Sequence, residues 1–335
     1  MKALTLHLRC PTGFKNSLPR SDTLFGAVCW GLWLLYGQER LQQFLESYTN
    51  DNPALLTSSA FPCLTVGGQT THLFPKPKSC PAELQFDENH HDLAKSFRKV
   101  RYLDGDLFQY FIQEGLTDQN LWEWLLQDKV QLSEDRQILS KGGVKTLSAR
   151  SEVVPGNAID RLSGAALEGM LYHSTEWFFG PDTDAFILVR LAEEWEKKIL
   201  AVFRYYGDKG LGGDSSVGKG GYRLEVSNGL PFCEPVGGRR WVTLSLYYPR
   251  PDEWTFFRQN LDQAWYSVTK RKGKVESGFS PTSNIWKKSV LMLEEGSSFP
   301  EMDGCRNYGT LVEVGTRPDG GSILQHGLAF AVRMR

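Results

Sequence analysis

The chain has 335 residues, of which 41% are hydrophobic and 23% charged, and its formal net charge is −1. A chain of this length and composition can bury a sufficient core without disulfides or metals, which excludes a small stapled scaffold. The near-zero charge excludes a basic field over the whole molecule, so any contact with nucleic acid must come from local basic patches.

The six cysteines are dispersed and no two form a CxxC pair, so we expect reduced thiols rather than a zinc ribbon or a redox motif. The first ten residues, MKALTLHLRC, lack the apolar core of a signal peptide. The longest apolar run, Phe25–Tyr36, is interrupted by Gly26 and Gly31 and is too short to span a bilayer. The expectation is therefore a cytoplasmic protein without membrane contact.

Regular structure is predicted at the start of the chain. Lys2–Leu8 alternates like a β-strand, and a helix with an N-cap serine is predicted over Ser21–Tyr36. Further helices are predicted at Arg40–Tyr48 and Asp118–Leu126. The stretch Asn50–Pro81 is rich in Pro, Ser and Thr and is predicted as an irregular connection.

A second block of regular structure begins at Asp184. The alternating run to Arg190 predicts a strand, Ala192–Tyr205 has the spacing of an amphipathic helix, and Tyr222–Val226 predicts the next strand. Between this helix and strand lies a glycine-rich loop, Gly210–Gly221, with the sequence GLGGDSSVGKGG. Together with the first strand and helix, these elements make the two halves of a βαββαβ sandwich.

The order of these elements divides the chain into two domains. The first spans residues 1–228 and carries a large insertion at about residues 40–180, and the segment Asn228–Arg240, rich in proline and glycine, is the predicted linker. The second domain, residues 240–335, is strand-rich with one helix at Pro251–Gln259. Its predicted strands are Trp241–Tyr248, Ala264–Thr269, Ser289–Leu293, Gly309–Val314 and Gly327–Met334.

The segment Gly213–Gly220, GDSSVGKG, nearly matches the GxxxxGK[ST] pattern of nucleotide-hydrolysing loops. Two requirements of that pattern fail. The hydroxyl that would hold Mg²⁺ is replaced by Gly220, and a P-loop runs from a strand into a helix, whereas the predicted order here is helix, loop, strand. A P-loop-like nucleotide-binding protein is therefore kept only as a minor alternative.

The composition of the loop still favours an anion as ligand. Six glycines in twelve positions allow close approach of backbone amides to a ligand and left-handed backbone angles. Ser215 and Ser216 add hydroxyl donors, while Lys209, Lys219 and Arg223 add positive charge. We therefore predict a backbone cradle for the phosphates of an RNA strand, with a plain helix-to-strand connection as the alternative.

The position of this loop, between the last helix and last strand of a βαββαβ unit, resembles the RAMP superfamily of CRISPR RNA-binding proteins. Other segments resemble the type III-A (Csm) effector subunit that caps the 5′ end of crRNA, and the equivalent type III-B or III-D subunit stays open. These segments are SDTLFGA at Ser21–Ala27, FPKP at Phe74–Pro77, KSFRKVR at Lys95–Arg101, NAIDRLSGAALEGMLY at Asn157–Tyr172, WKKSVLMLEEGSSF at Trp286–Phe299 and HGLAF at His326–Phe330.

The resemblance implies an α+β fold of two ferredoxin-like (RRM-like) βαββαβ domains, the first with a large inserted thumb. It implies binding of the repeat-derived 5′ tag of crRNA, and contact with the large polymerase-like subunit and with a backbone RAMP subunit. It also implies a subunit that is not itself an enzyme, and no cofactor or metal is expected.

Further RNA contacts are predicted outside the loop. Lys141–Arg150, KGGVKTLSAR, carries three positive charges and no acid, although a solvated hairpin is an equal interpretation. Arg161 is expected to bind a phosphate or stack on a base, with an ion pair to Asp160 as the alternative. The predicted RNA-binding residues are Arg20, Ser21, Lys141, Lys145, Arg150, Asn157, Arg161, Tyr172, Lys209, Gly212, Gly213, Ser215, Ser216, Gly218, Lys219, Arg223 and Lys288.

Catalytic motifs are missing from the sequence, since neither GxSxG nor HExxH occurs. His90 and His91 lie in an acidic stretch and are interpreted as surface residues. His7 is in the first strand, and the sequence places no second general acid near it. A metal-independent RAMP endoribonuclease that processes crRNA precursors is the leading alternative function.

Overall fold

The computed structural model describes the chain except residues 11, 16, 50, 84–89, 145, 148, 274–285 and 317–319, and except the side chain of residue 216. It confirms a mixed α+β fold. The helices are α1 (Ser21–Thr49), α2 (His91–Phe97), α3 (Gly105–Glu114), α4 (Asp118–Leu126), α5 (Glu196–Lys209) and α6 (Pro251–Gln259). The strands are β1 (Lys2–Arg9), β2 (Phe14–Lys15), β3 (Leu55–Thr57), β4 (Phe61–Val66), β5 (Gln69–Pro75), β6 (Tyr102–Asp104), β7 (Gln131–Leu132), β8 (Ile138–Ser140), β9 (Ala149–Ile159), β10 (Ala166–Phe179), β11 (Thr183–Leu191), β12 (Arg223–Asn228), β13 (Arg240–Thr243), β14 (Val268–Arg271), β15 (Val290–Leu293), β16 (Ser298–Pro300), β17 (Leu311–Thr316), β18 (Ser322–His326) and β19 (Ala331–Met334).

The largest sheet has the strand order β12-β1-β11-β4-β5-β6-β8-β7, and β3 also pairs with β11. Helices α1 and α5 cover one face of its β12-β1-β11 part, where Leu4, Leu6 and Leu8 of β1 face their apolar sides. The two helices cross closely at Gly31, since a Cβ there would clash with Val202. The predicted strands and helices on both sides of the glycine loop are confirmed in position.

Helix α1 runs over 29 residues but is interrupted at Gly37, whose backbone angles (φ 83°, ψ 175°) are not helical. Glycine permits this left-handed excursion without the steric cost that a Cβ would bring. The two segments on either side agree with the two helices predicted from the sequence.

The predicted irregular connection between Asn50 and Pro81 is wrong. This stretch contains β3, β4 and β5, and the last two form a hairpin around Gly67 and Gly68, both at positive φ. Two left-handed residues are what a tight two-residue hairpin turn requires. The proline and threonine content concealed the strands, because both residues are tolerated in strands near a sheet edge.

In the C-terminal part, the strands differ in length from those predicted. Regular pairing in β13 ends at Thr243, although Tyr247 still forms a bridge to Leu293. The strands form three small sheets, β16-β13-β19, β14-β15 and β17-β18. Helix α6 spans the predicted residues, and β16 and β18 are strands that the sequence analysis missed.

A long two-stranded arm is formed by β9 and β10, whose base pairs with β2. Its outer part is exposed on both faces, and the side chain of Leu162 at the turn is 99% exposed. At about 3.3 Å per residue, the turn lies roughly 30 Å from the base of the arm. Of the predicted basic stretch Lys141–Arg150, only Ala149 and Arg150 belong to β9, at the base of this arm.

The N-terminus of α1 joins the two parts of the molecule. The guanidinium of Arg20 binds the carboxylate of Glu295, and the Nε–Oε1 distance is 3.0 Å. Arg271 donates two hydrogen bonds of 2.9 Å to Asp22, in the bidentate geometry that is the strongest form of this pair. The hydroxyl of Ser21 is fully buried and accepts a hydrogen bond of 3.0 Å from the backbone N–H of Leu246.

Two histidines, His7 and His326, are buried, and His72 is partly buried. His7 and His72 share a hydrogen bond between their Nε2 atoms at 2.9 Å, and burial lowers the pKa of His72 to about 4. His326 is fully buried against Phe25 and Tyr48, and burial likewise lowers its pKa to about 4. Neither ring nitrogen of His326 finds a hydrogen-bond partner within the described part of the chain.

We predict that Glu295→Gln lowers the free energy of unfolding by about 3 kcal/mol, because it leaves the partly buried Arg20 without its carboxylate. Glu294 lies 3.6 Å from Arg20 and is one-third exposed, which makes Glu294→Gln the matched control with an expected loss under about 1 kcal/mol. Guanidinium denaturation measures both variants. Equal losses for the two variants would contradict the role assigned to the junction.

Stability is predicted to fall as the pH decreases from about 6.5 to about 4. The neutral imidazoles of His72 and His326 are favoured in the folded state, so the unfolded chain takes up protons first in this window. Each histidine accounts for up to about 3 kcal/mol. His326→Phe should flatten the dependence of the unfolding midpoint on pH, whereas the exposed His173→Gln should leave it unchanged. An unaltered slope in His326→Phe would disprove the assignment.

Candidate nucleic-acid interface

The glycine-rich loop follows α5 and leads into β12, so the order helix, loop, strand is confirmed. Its ends are tied together, since the N–H of Leu211 donates to the carbonyl of Gly220 at 2.8 Å. The N–H of Gly220 in turn donates to the carbonyl of Gly13 at 2.9 Å. The loop is thus a closed turn fixed to the segment before β2.

Left-handed backbone angles explain much of the glycine content. Gly210, Gly212, Gly218 and Gly220 all have φ between 72° and 97°. A Cβ at position 220 would lie far inside van der Waals contact with the carbonyl oxygen of Leu211. Serine or threonine therefore cannot occupy the position where a P-loop needs its hydroxyl, which is a conformational reason against nucleotide hydrolysis.

Two ion pairs hold the loop to neighbouring strands. Lys15 on β2 lies with its Nζ 2.6 Å from Oδ2 of Asp214, and Lys219 binds the buried carboxylate of Glu176 on β10. The Nζ of Lys219 is also 5.0 Å from the ring centroid of Phe178. These two contacts therefore fix the side chain of Lys219.

The exposed part of the loop presents backbone groups. Gly212, Gly213 and Gly218 are exposed, and the described residues offer no acceptor to the N–H groups of Gly212 and Gly213. A side chain at Gly212 or Gly218 would meet open space. Unpartnered amides at exposed glycines are the groups that a phosphate oxygen can approach.

Several predicted contacts surround this loop. Lys209 lies over the ring of Tyr205 at 5.5 Å, and Arg223 is exposed and paired with Glu225. Arg150 at the base of the arm lies 5.8 Å from the same Phe178 ring that Lys219 approaches. Ser215 is partly exposed, and Ser216 belongs to the same 3₁₀ turn.

Three predicted contacts lie far from the loop, on the arm. Asn157, Arg161 and Tyr172 are exposed there. The Tyr172 ring lies across Gly156, where an added Cβ would come within 2.5 Å of its Cζ. Asp160 caps the turn through Leu162 and Ser163 instead of pairing with Arg161, and these hydrogen bonds lower its pKa.

The remaining predicted residues are separate from both surfaces. Ser21 as an RNA contact is wrong, because its hydroxyl is buried and bonded to Leu246, and Arg20 is committed to Glu295. Lys141 lies over the Tyr110 ring at 3.7 Å, and the exposed Lys288 follows Trp286 near β17. Lys145 lies outside the described residues.

Sequence reasoning missed Lys15, Asp214 as its partner, and Glu176. Lys15 stands alone between prolines and glycines, and Glu176 lies in a strand that was not predicted. Only the pairing of β2 with β10, which sets Lys15 opposite Glu176, brings them to the loop. No signal in the local sequence marks that long-range contact.

The expectation that no acid–base group stands near His7 is also wrong, since His72 is its hydrogen-bond partner. This pair is poorly suited to acid catalysis, because His7 is only 8% exposed and burial lowers the pKa of both imidazoles. Among the described residues no cluster of three or more His, Cys, Asp or Glu has the arrangement of a metal site. Within the same residues, no helix is both long and apolar enough to cross a membrane.

Comparison with known proteins gives a family match for the C-terminal part and a shared fold for the whole chain. Residues 237–334 match the family described as the CRISPR Csm4 C-terminal domain. The chain is 25% identical over 272 residues to the CRISPR system Cms protein Csm4 of Thermococcus onnurineus (strain NA1), an alignment that covers 74% of this chain and 80% of that protein.

Solved structures share the fold over the full length. The crystal structure of a Csm3-Csm4 subcomplex in the type III-A CRISPR-Cas interference complex matches with a TM-score of 0.67 and 16% identity, and covers 100% of both chains. A Csm1-Csm4 cassette in complex with AMPPNP matches with a TM-score of 0.61 and 19% identity, and covers 100% of this chain and 98% of that chain.

We predict that Gly220→Ala destabilises the protein by at least about 2 kcal/mol, since it adds a backbone clash to the cost of a left-handed angle. Gly212→Ala is the matched control, because its φ is equally positive but its Cβ would meet open space, and about 1 kcal/mol is expected. Thermal and chemical unfolding compare the two. A loss for Gly220→Ala no larger than for Gly212→Ala would refute the closed-turn description.

Proposed function

We propose that the chain is a RAMP-superfamily subunit of the Csm4 type, an assignment that the comparisons support, and that it binds the 5′ tag of crRNA in a type III CRISPR effector complex. The observation that carries the proposal is that Gly212 and Gly213 are exposed and their backbone N–H groups find no acceptor among the described residues, three and four positions after the exposed Lys209. Backbone N–H groups of this kind donate to phosphate oxygens whatever the base sequence, so the loop would position the strand while other contacts read its bases.

The arm supplies a second set of contacts in this proposal. The ring of Tyr172 lies across Gly156 and the residue is 54% exposed, so it is open to stacking by an unpaired base. Arg161 and Asn157 stand exposed on the same arm with polar groups suited to phosphate and base edges. Tyr172 lies four residues along β10 from Glu176, which binds the loop through Lys219, so the loop and this ring would hold a strand at points about 13 Å apart.

The proposed role also includes assembly. The related structures are of Csm4 proteins together with Csm1 and with Csm3. By analogy, this chain would contact both a large polymerase-like subunit and a backbone RAMP subunit, and bridge the two. The apolar side chains exposed on the arm, including Val153, Leu162 and Leu171, are suited to such protein contacts.

We further propose that the chain consists of two ferredoxin-like domains, at residues 1–228 and 240–335, with the arm as the thumb. The order β12-β1-β11-β4 with α1 and α5 on one face supports this interpretation for the first domain. The three small sheets of the second domain show the βαββαβ arrangement less completely.

A non-catalytic role in the cytoplasm completes the proposal. His7 is buried, its Nε2 is engaged with that of His72, and burial lowers the pKa of both imidazoles, which disfavours the endoribonuclease alternative. Incubation of the chain with a repeat RNA in EDTA distinguishes the binding subunit from the endoribonuclease, since a metal-independent nuclease would cleave the RNA and a binding subunit would not.

Substitution of Gly218 tests the cradle. Gly218→Asp places a carboxylate in open space at the loop and should weaken binding of a tag-bearing single-stranded RNA roughly tenfold at about 0.1 M salt. Gly218→Asn is the matched control, because asparagine has nearly the same shape and tolerates a left-handed φ but carries no charge. Fluorescence anisotropy at several salt concentrations measures the affinities.

The proposal fails if Gly218→Asp and Gly218→Asn bind the RNA equally well. It also fails if photo-cross-linking of the assembled complex joins the chain to spacer nucleotides and never to the tag. A scrambled RNA of the same composition separates recognition of the tag from general binding of single strands.

A further inference from the structure

The ammonium of Lys15 lies directly over the exposed turn of the glycine-rich loop. A Cβ added to Gly213 would come within 3.1 Å of Cδ of Lys15, so the aliphatic stem of the lysine rests on that glycine. Its Nζ reaches Oδ2 of Asp214 at 2.6 Å, and both side chains remain about one-third exposed. Lys15 is therefore close to the amides that would meet a phosphate, yet it is already occupied by an anion of the chain itself.

Asp214 has no evident role in the fold of the loop. It precedes the 3₁₀ turn Ser215–Val217 at a left-handed φ of 61°, and its side chain makes no capping hydrogen bond there. Aspartate at such a position usually accepts backbone N–H groups of the turn. Here the carboxylate is directed to Lys15 instead.

The second ion pair of the loop differs in its surroundings. The side chain of Glu176 is only 7% exposed, and that of Lys219 is 22% exposed. Separating this pair would leave a buried carboxylate without a partner, which is costly. Of the two lysines, Lys15 is thus the one that can exchange its partner.

The four charges of these pairs sum to zero, so the unoccupied loop offers a phosphate little net attraction. We propose that Asp214 is a built-in competitor that occupies Lys15 in the free chain, and that an RNA phosphodiester displaces it and takes Lys15 as a direct ligand. A carboxylate and a phosphodiester both present anionic oxygens to an ammonium, so one can replace the other. This inference rests on the proposed function of the loop.

Competition of this kind affects selectivity. Every RNA must displace the carboxylate before it gains the contact with Lys15, and a strand held only by its phosphates gains least from the exchange. An RNA that also engages the arm can offset the cost. Asp214 would therefore suppress binding of RNAs that lack the full set of contacts.

A double-mutant cycle on the full chain tests the proposal, with Asp214→Asn, Lys15→Met and the double variant. Asparagine keeps the left-handed φ and removes the charge. Asp214→Asn should tighten binding of a tag-bearing single-stranded RNA roughly three- to tenfold, and have no effect in the Lys15→Met background. Asp208→Asn, an exposed acid at the end of α5, removes the same charge and should change affinity less than about twofold.

Unchanged or weaker binding by Asp214→Asn overturns the proposal, and so does an equal gain with and without Lys15. Melting temperatures of all variants show whether each is folded, and Asp214→Ser provides a second uncharged replacement. If Gly218→Asp weakens RNA binding but Asp214→Asn has no effect, the cradle stands and only the competition is refuted. If Gly218→Asp and Gly218→Asn bind alike, the cradle and the competition both fall.

Discussion

The N-terminus of helix α1 is buried between the two parts of the chain, and three consecutive residues there each bond to the C-terminal part. Arg20 binds Glu295, Ser21 accepts from Leu246, and Asp22 binds Arg271. Because charges removed from water are tolerated only with partners in good geometry, these contacts specify one arrangement of the two parts. Helix α1 in turn packs on α5 at Gly31, and α5 leads directly into the glycine-rich loop. The position of the candidate site thus depends on the junction.

Within the site, backbone conformation and charge act separately. The positive φ angles of Gly210, Gly212, Gly218 and Gly220 determine the course of the loop, and the N–H groups of the exposed Gly212 and Gly213 have no acceptor among the described residues. The lysines do not add free positive charge, because Asp214 and Glu176 already pair with them. A cradle of neutral overall charge is suited to a ligand that brings several contacts, and it gives little affinity for isolated anions.

The sequence correctly predicted the elements that are specified by residues close together along the chain. The interrupted helix α1, helix α4, helix α6 and the elements around the loop have the spacing, caps and glycines that specify them within a short window. The hairpin of β4 and β5 and the arm of β9 and β10 were not predicted. Their strands are stabilised by pairing with each other, and the residue pattern of a single strand does not reveal that pairing. The predicted contact at Ser21 failed for a similar reason, since a serine at a helix start gives no sign of whether the helix end is exposed.

Residue types at fixed spacing were enough for the family resemblance, the helix–loop–strand order and the argument against a P-loop. Which charges are available to a ligand depends on the three-dimensional fold. Lys15 and Glu176 are far apart along the chain and far from the loop that carries Asp214 and Lys219, and the pairing of β2 with β10 sets them side by side where each binds its loop partner. The glycine loop looked basic in the sequence and is neutral in the fold, since an ion pair depends on distances in space that residue spacing does not encode.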